Sequence, residues 1–172
     1  MITIDSVVGN IKKDKEIGEK YGEMCTRKVC ETIKINRLES QRVRMRKTSD
    51  KGTDIALTLP QGTHLRHGDV IMLTEDKIVV VEIEPENVAM VEIKDNIHND
   101  NDIIGVSVII GHTIGNLHRP IKLERNKIYF PIQLDSELEM FKKLFAPVNE
   151  HIEIKKTEMV FEPDEGMNIH EH

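Results

Sequence analysis

A polar stretch centred on Pro85 separates two different hydrophobic patterns, and this change limits the folds available to the chain. Before Pro85, short apolar runs alternate with turn residues; after it, two of the apolar runs have helical spacing. A proline with charged neighbours favours a connection over the interior of a strand or helix. We therefore expect a first domain over residues 1–84, a second over 86–161, and a flexible, acidic, histidine-containing tail over 162–172.

The segment before Pro85 is predicted to be all β. Residues 41–46 alternate in polarity, residues 49–52 have the composition of a hairpin turn, and residues 70–73 and 78–81 are apolar runs. Several short strands joined by close turns are typical of a small barrel or sandwich. Arginines would occupy one face of the alternating strand, where they either bind an acidic partner or are simply solvated: Arg42, Arg44 and Arg46.

After Pro85 the predicted order is strand, helix, strand, strand, helix, strand, which is a ferredoxin-like arrangement. The first helix is expected over 103–114, after a run of capping residues at 99–102, and is apolar nearly all round. Gly115 and Asn116 are expected to end it. The fold class is therefore predicted as α+β, with an apolar helix that one small domain does not fully cover.

Composition disfavours two classes of partner. The net charge is −6, Trp is absent, and Tyr and Phe are few, so a basic or aromatic nucleic-acid surface is not expected. No stretch has the length and apolarity of a membrane span, and the N-terminus lacks the pattern of a secretion signal. We expect a cytoplasmic protein that binds neither nucleic acid nor membranes.

The two cysteines are too few for a disulfide framework, which also fits a reducing cytoplasm. Because Cys25 and Cys30 are five residues apart, they are expected on opposite faces of a strand, one in the core and one at the surface. A role for either thiol in metal binding is the alternative.

The sequence contains none of the short motifs that support common catalytic chemistry. The zinc-protease pattern His-Glu-x-x-His, paired Cys-x-x-Cys, the phosphate-binding loop and the nucleophile elbow Gly-x-Ser-x-Gly are all missing. A metal-dependent hydrolase is also disfavoured, since no general-base carboxylate lies at motif spacing beside His118. We therefore predict that the protein is not an enzyme.

Two of the eight histidines raise the hypothesis of metal binding, although their spacing alone favours ordinary surface positions. His112 and His118 lie on either side of Gly115-Asn116, where a glycine with positive φ is expected to reverse the chain and project His118 from the next strand. Imidazole suits nickel, copper and zinc. An ordinary surface role is the alternative for each, and His112 either faces the same metal or covers the helix end. His64 and His67 are expected to be solvated.

Two motifs resemble those of one known family. Residues 115–120 (Gly-Asn-Leu-His-Arg-Pro) resemble the Gly-Asn-x-His-x-Pro signature of the UreE family of urease accessory proteins. Residues 59–70 are similar to that family's Leu-Pro-x-Gly-Thr-x-Leu-x-x-Gly-Asp segment, and the arginine strand before them and residues 161–163 also agree.

The resemblance implies a nickel metallochaperone that delivers Ni(II), as cargo, to the urease apoprotein during assembly of its dinuclear active site. It implies a peptide-binding-type first domain, a ferredoxin-like second domain that binds metal and forms a homodimer, and cooperation with the accessory GTPase UreG. Zn(II) or Cu(II) would also bind imidazole ligands. The alternative is a non-catalytic assembly scaffold that binds protein partners through its β domain and has an incidental metal site.

Residue by residue, His118 matches the family's metal-binding histidine, which pairs with its copy across the dimer two-fold axis. Leu117 stands where the family commonly has Arg or Lys, and the family's optional second histidine pair is missing near 129–135. The long His-rich tail of some members is reduced to His170 and His172. The expected metal ligands are therefore His118, His170, His172 and His112.

Overall fold

The computed structural model describes residues 1–95, 97, 99–164 and 166. The chain divides into two compact units between Glu84 and Pro85. Each unit combines strands with helices, so the protein belongs to the α+β class. Among the described residues, no helix has both the length and the apolar character needed to cross a membrane.

The first unit contains two sheets. Its elements are β1 Ile2–Ile4, β2 Gly9–Asn10, α1 Lys15–Thr26, β3 Cys30–Ile35, α2 Arg37–Ser40, β4 Arg44–Thr48, β5 Asp54–Thr58, β6 Asp69–Leu73 and β7 Ile78–Ile83. The sheet orders are β1-β5-β4 and β2-β6-β7-β3. Two of the pairs, β1 with β5 and β3 with β7, are parallel, and the others are antiparallel.

The hairpin predicted from alternation and turn chemistry is confirmed. β4 and β5 pair in antiparallel register, and Gly52 in the turn has φ +88°, a conformation that glycine adopts without strain. Ile55 and Leu57 are almost fully buried, whereas Arg44 and Arg46 are exposed. Alternate residues of these strands therefore face the core and the solvent, as the sequence predicts.

The prediction of an all-β first domain is wrong, because α1 is a twelve-residue helix. The side chain of Asp14 caps it by accepting bonds from the backbone N–H groups of Glu16 and Ile17. Ile17, Tyr21 and Met24 form the apolar stripe that packs in one cluster with residues of β6 and β7. The stripe contains only three apolar residues, and the rest of the segment is mostly charged residues and glycines. The helical periodicity of α1 is therefore weak in the sequence.

The missed helix also explains why the expected placement of the cysteines is wrong. Cys25 lies in the last turn of α1 and Cys30 is the first residue of β3. A disulfide joins them, with a Cα–Cα distance of 5.0 Å. The two residues belong to different elements and not to opposite faces of one strand.

Glu31 on β3 is a buried carboxylate in the first unit. The Lys77 ammonium lies 2.7 Å from its Oε1, and the Ser49 hydroxyl donates to its Oε2 at 2.6 Å. Burial by itself raises the pKa of Glu31, but these donors outweigh burial and lower the pKa to about 2. The carboxylate therefore stays ionised inside the unit.

The second unit is one antiparallel sheet with two longer helices. Its elements are β8 Glu86–Ile93, α3 Asp100–Asn116, β9 Lys122–Glu124, β10 Lys127–Pro131, α4 Asp135–Leu144, a 3-10 helix Ala146–His151, and β11 Ile152–Met159. The sheet order is β11-β8-β10-β9. Ile110 and Ile114 of α3 and Phe141 of α4 pack with Phe130 of the sheet to form its main core.

The segment after β11 is attached to this unit and does not leave it at residue 162 as expected for a flexible tail. Phe161 is buried beside Val88 and Tyr129. The N–H of Asp164 donates to the Ile121 carbonyl at 3.2 Å, and its carboxylate accepts from the N–H of Leu123 at 2.8 Å. Glu165 and residues 167–172, which include His170 and His172, lie outside the described residues.

Candidate metal centre

His118 lies in the turn that follows α3 and is exposed. Its backbone has φ +52°, in the left-handed region. The N–H of His118 donates to the Gly115 carbonyl at 3.0 Å, and the N–H of Arg119 donates to the Ile114 carbonyl at 3.3 Å. These two bonds are those of a Schellman motif, whose left-handed residue is usually glycine.

The expected position of the chain reversal is therefore wrong by a few residues. α3 continues through Gly115 and Asn116, and a histidine takes the left-handed position. A side chain with a Cβ atom costs roughly 1–2 kcal/mol there, although histidine tolerates it better than most residues. An exposed histidine kept in a costly conformation is a candidate functional residue.

An ion pair anchors the chain immediately after His118. The Arg119 guanidinium lies 2.6 Å from Oε1 of Glu137 on α4, and both side chains are mostly buried. Oε2 of Glu137 accepts the N–H of Gln133 at 2.7 Å. Because Arg119 is fixed to α4, the turn that carries His118 is held at both ends.

His112 lies on the exposed side of α3, one helical turn before Asn116. Its Nε2 is 3.0 Å from the Asn116 amide nitrogen. The amide nitrogen is a donor, so the ring accepts through Nε2 and its proton is assigned to Nδ1. The Nε2 lone pair is therefore occupied, and metal binding through that atom requires Asn116 to move away.

Within the described residues of one chain, no group of three or more His, Cys, Asp or Glu side chains lies close enough to hold a metal ion. His118 is thus not part of a three-ligand group within the described residues. The other predicted ligands, His170 and His172, lie outside the described residues. A complete coordination sphere requires ligands beyond those that the described part of one chain brings together.

The exposed side of α3 carries an apolar stripe. Ile104 and Val108 are 60% and 63% exposed, and both are followed along the same face by glycines. A Cβ atom built at Gly111 or Gly115 meets nothing within 4 Å. The stripe is therefore a solvent-exposed surface of α3 that extends toward the turn of His118. Because the helix is apolar nearly all round, sequence periodicity alone does not show which of its faces is exposed.

The remaining predicted candidates have ordinary structural surroundings. His64 is exposed, as expected, but His67 is half-buried and its Nδ1 accepts the N–H of Ile83 at 3.3 Å. Arg46 forms a two-fold hydrogen bond with Asp54 at 2.8 Å for each contact. Arg44 is exposed on β4.

Comparison with known proteins shows what the first unit resembles. Residues 4–84 match the family model described as UreE urease accessory protein, N-terminal domain. The first unit is therefore similar to UreE N-terminal domains, in agreement with the resemblance of the sequence motifs.

The chain is also similar to whole proteins of that name. It is 29% identical to urease accessory protein UreE of Natronomonas pharaonis over 135 residues, which cover 78% of this chain and 61% of that protein. It is 28% identical to urease accessory protein UreE of Yersinia pestis over 135 residues, or 77% and 57% of the two chains. The match thus spans about three-fifths of the length of these relatives, and at 135 residues it includes parts of both units.

Proposed function

We propose that this protein is a metallochaperone that carries Ni(II) to the urease apoprotein during assembly of its dinuclear active site. The similarity to proteins named urease accessory protein UreE supports a role in urease maturation. The observation that carries the metal-binding part is His118, an exposed imidazole at a turn position where glycine is usual. In this proposal the protein is a cytoplasmic carrier and not an enzyme.

The proposed active form is a homodimer built on the second unit. The α3 stripe exposes Ile104 and Val108 to solvent, and the open positions at Gly111 and Gly115 let a second helix approach closely. A two-fold axis beside this stripe buries it against its own copy. His118 follows Gly115 by three residues, so such an axis also brings the two His118 side chains toward one another.

The proposed nickel site requires further ligands besides the two His118 side chains. Two His118 side chains supply two imidazole nitrogens, and Ni(II) in such a site binds four to six donors. We assign His170 and His172 as further ligands, with the acidic residues near them offsetting the charge of the cation. His112 is the weaker candidate, because Asn116 occupies its Nε2. Zn(II) and Cu(II) compete for the same nitrogens.

The two units have different roles in this proposal. The order of elements in the second unit and its β11-β8-β10-β9 sheet support a ferredoxin-like metal-binding and dimerisation domain. The two sheets of the first unit support a small barrel or sandwich that binds peptides of partner proteins. The urease apoprotein and the accessory GTPase UreG are the proposed partners.

An assembly scaffold with an incidental metal site is the second candidate. One observation favours it: the family model matches residues 4–84, the unit that lacks His118. A scaffold retains partner binding when His118 is replaced, whereas a carrier with that variant still binds its partners but no longer activates urease. Urease activation in a reconstituted assembly mixture therefore separates the two candidates.

Calorimetric titration with Ni(II) tests the metal site. We expect His118→Asn to abolish the tightest site, since asparagine tolerates the left-handed backbone and removes only the imidazole. Deletion of 167–172 should weaken binding by about 1–2 kcal/mol, as for lost charge-assisted contacts. Binding by the wild type should weaken in acid, because ligand imidazoles must be neutral.

His64→Asn is the matched control, because His64 is an exposed histidine of the first unit. It should bind Ni(II) as the wild type does. An unchanged tight site in His118→Asn removes the basis of the proposed function, whereas an unchanged site in the deletion variant removes only the tail ligands.

A further inference from the structure

We propose that Cys25 and Cys30 form a second metal site, specific for a soft monovalent ion of the Cu(I) class and controlled by oxidation. The reduced pair binds the ion, and the disulfide closes the site. The two residues belong to the first unit, and the proposal is independent of the nickel site at His118.

Backbone geometry holds the two cysteines together whether or not their sulfur atoms are bonded. Lys28, between them, has φ +62°. Its N–H donates to the Cys25 carbonyl at 3.0 Å, and the N–H of Val29 donates to the Met24 carbonyl at 3.1 Å. These bonds form a Schellman motif at the end of α1. The return of the chain to Cys30 is therefore a property of the backbone.

Apolar packing reinforces this turn. Met24 and Val29, the two residues joined by the longer-range bond of the motif, belong to the same apolar cluster, and Met24 is 1% exposed. Reduction removes neither this packing nor the backbone bonds. The Cys30 sulfur also lies 3.6 Å from the Tyr21 carbonyl, which can accept its S–H group. The reduced thiols therefore stay close, as a preformed pair.

Metal binding converts the two thiols to thiolates. The thiolate is the form of cysteine that binds a metal, so Cu(I) binding releases the thiol protons. Arg27 and Lys28, which lie between the cysteines in sequence, are exposed.

The number of ligands selects the class of metal. Within the described residues, no third His, Cys, Asp or Glu joins the pair in a metal-binding group. Ni(II) and structural Zn(II) require a larger donor set, whereas Cu(I) is soft, prefers sulfur and accepts two ligands. Both cysteines are half-buried. The ion and small thiols can therefore reach the sulfur atoms, whereas large molecules have restricted access.

The chemistry is balanced in two steps. Two molecules of a reducing thiol such as glutathione donate two electrons to the Cys25–Cys30 disulfide and leave as oxidised glutathione, while the cysteines gain two protons. Cu(I) then binds both sulfur atoms, and the two thiol protons pass to water. The oxidation state of the copper does not change.

Anaerobic titration with Cu(I) against a chromophoric Cu(I) chelator tests the site in the full chain. We expect the reduced wild type to bind one Cu(I) per chain. Protein oxidised with oxidised glutathione should lose this site, and Cys25→Ser and Cys30→Ser should bind at least about 100-fold more weakly, since each lacks one of two direct ligands. Oxidised wild type keeps both side chains, so it tests the site without a substitution.

His118→Asn is the control that separates this site from the nickel site, and it should keep the Cu(I) affinity of the wild type. The reduced Cys25→Ser variant should in turn keep Ni(II) binding. The proposal is overturned if the reduced wild type binds Cu(I) no more tightly than the serine variants. It is also overturned if both thiols remain free by thiol counting after exposure to oxidised glutathione.

Discussion

The charge on Glu31 couples the stability of the first unit to pH. With its pKa lowered to about 2 in the folded state against 4.5 for the free group, the carboxylate contributes stability above about pH 4.5. That contribution is lost as the pH falls from about 4.5 to about 2, where the folded protein also takes up the proton. Its size is about 3 kcal/mol at most, from the shift in pKa.

Glu31→Gln should therefore lower the free energy of unfolding by about 2–3 kcal/mol at neutral pH and by much less near pH 2. Chemical denaturation over this pH range measures it. Glu19→Gln is the surface control, because the Glu19 side chain is 71% exposed in its pair with Lys15, and it should change stability little at any pH. If the loss of unfolding free energy in Glu31→Gln were as large near pH 2 as at neutral pH, the stabilising role of the ionised carboxylate would be contradicted.

The local environments of single residues are only partly predictable from the sequence. His118 is recognisable from its motif, but its left-handed backbone depends on hydrogen bonds to Gly115 and Ile114 that no residue pattern displays. Glu31 carries a charge that predicts exposure, and its partners are distant in sequence: Ser49 directly follows β4 and Lys77 directly precedes β7. Such environments depend on which strands pair.

Helices and strands are predictable from sequence where residues close together in the chain determine them. The β4–β5 hairpin is predictable because alternation and an Asp-Lys-Gly turn act over fifteen neighbouring residues. α1 is not predicted, because its apolar stripe is short and its helix signal rests on the Asp14 cap. Tertiary packing of Met24 then stabilises a segment whose own propensity is modest.

The exposed stripe of α3 predicts that a charge at its centre prevents self-association. Val108→Glu should leave the fold intact and raise the dimer dissociation constant by at least about 100-fold, because two apolar side chains lose their burial in each dimer. Light scattering or sedimentation measures the change. Circular dichroism checks that the helix content is retained.

The control for this variant is Leu38→Glu, which places the same charge on a half-exposed leucine of α2 in the first unit. It should remain dimeric. A wild type that is monomeric at tens of micromolar, with and without Ni(II), would overturn the dimer itself.

At the scale of the whole molecule, each unit completes its own sheets. Among the strands of the described residues, β1 to β7 pair with one another, and β8 to β11 do likewise. A fragment of residues 1–84 should therefore fold alone and unfold cooperatively. Circular dichroism with thermal unfolding tests this. A fragment of residues 1–76, which lacks β7, should not fold, because β3 loses its partner and β6 keeps only the two-residue β2.

The similarity to UreE proteins is recognisable from two motifs, whereas the arrangement of the candidate site is not. Motif spacing identifies relatives because it records the turns and ligands that a family shares. The number of ligands that one chain assembles depends on distances between elements, and the described residues bring no third donor to His118.

The parallel pairing of β3 with β7 has a consequence for synthesis on the ribosome. β3 ends at Ile35, but β7, the strand with which it pairs, ends at Ile83. Such non-local contacts delay folding until the later strand has emerged. The nascent chain therefore exposes the apolar side chains of β3 until β7 has been synthesised, and the unpaired strand is prone to aggregation during that interval.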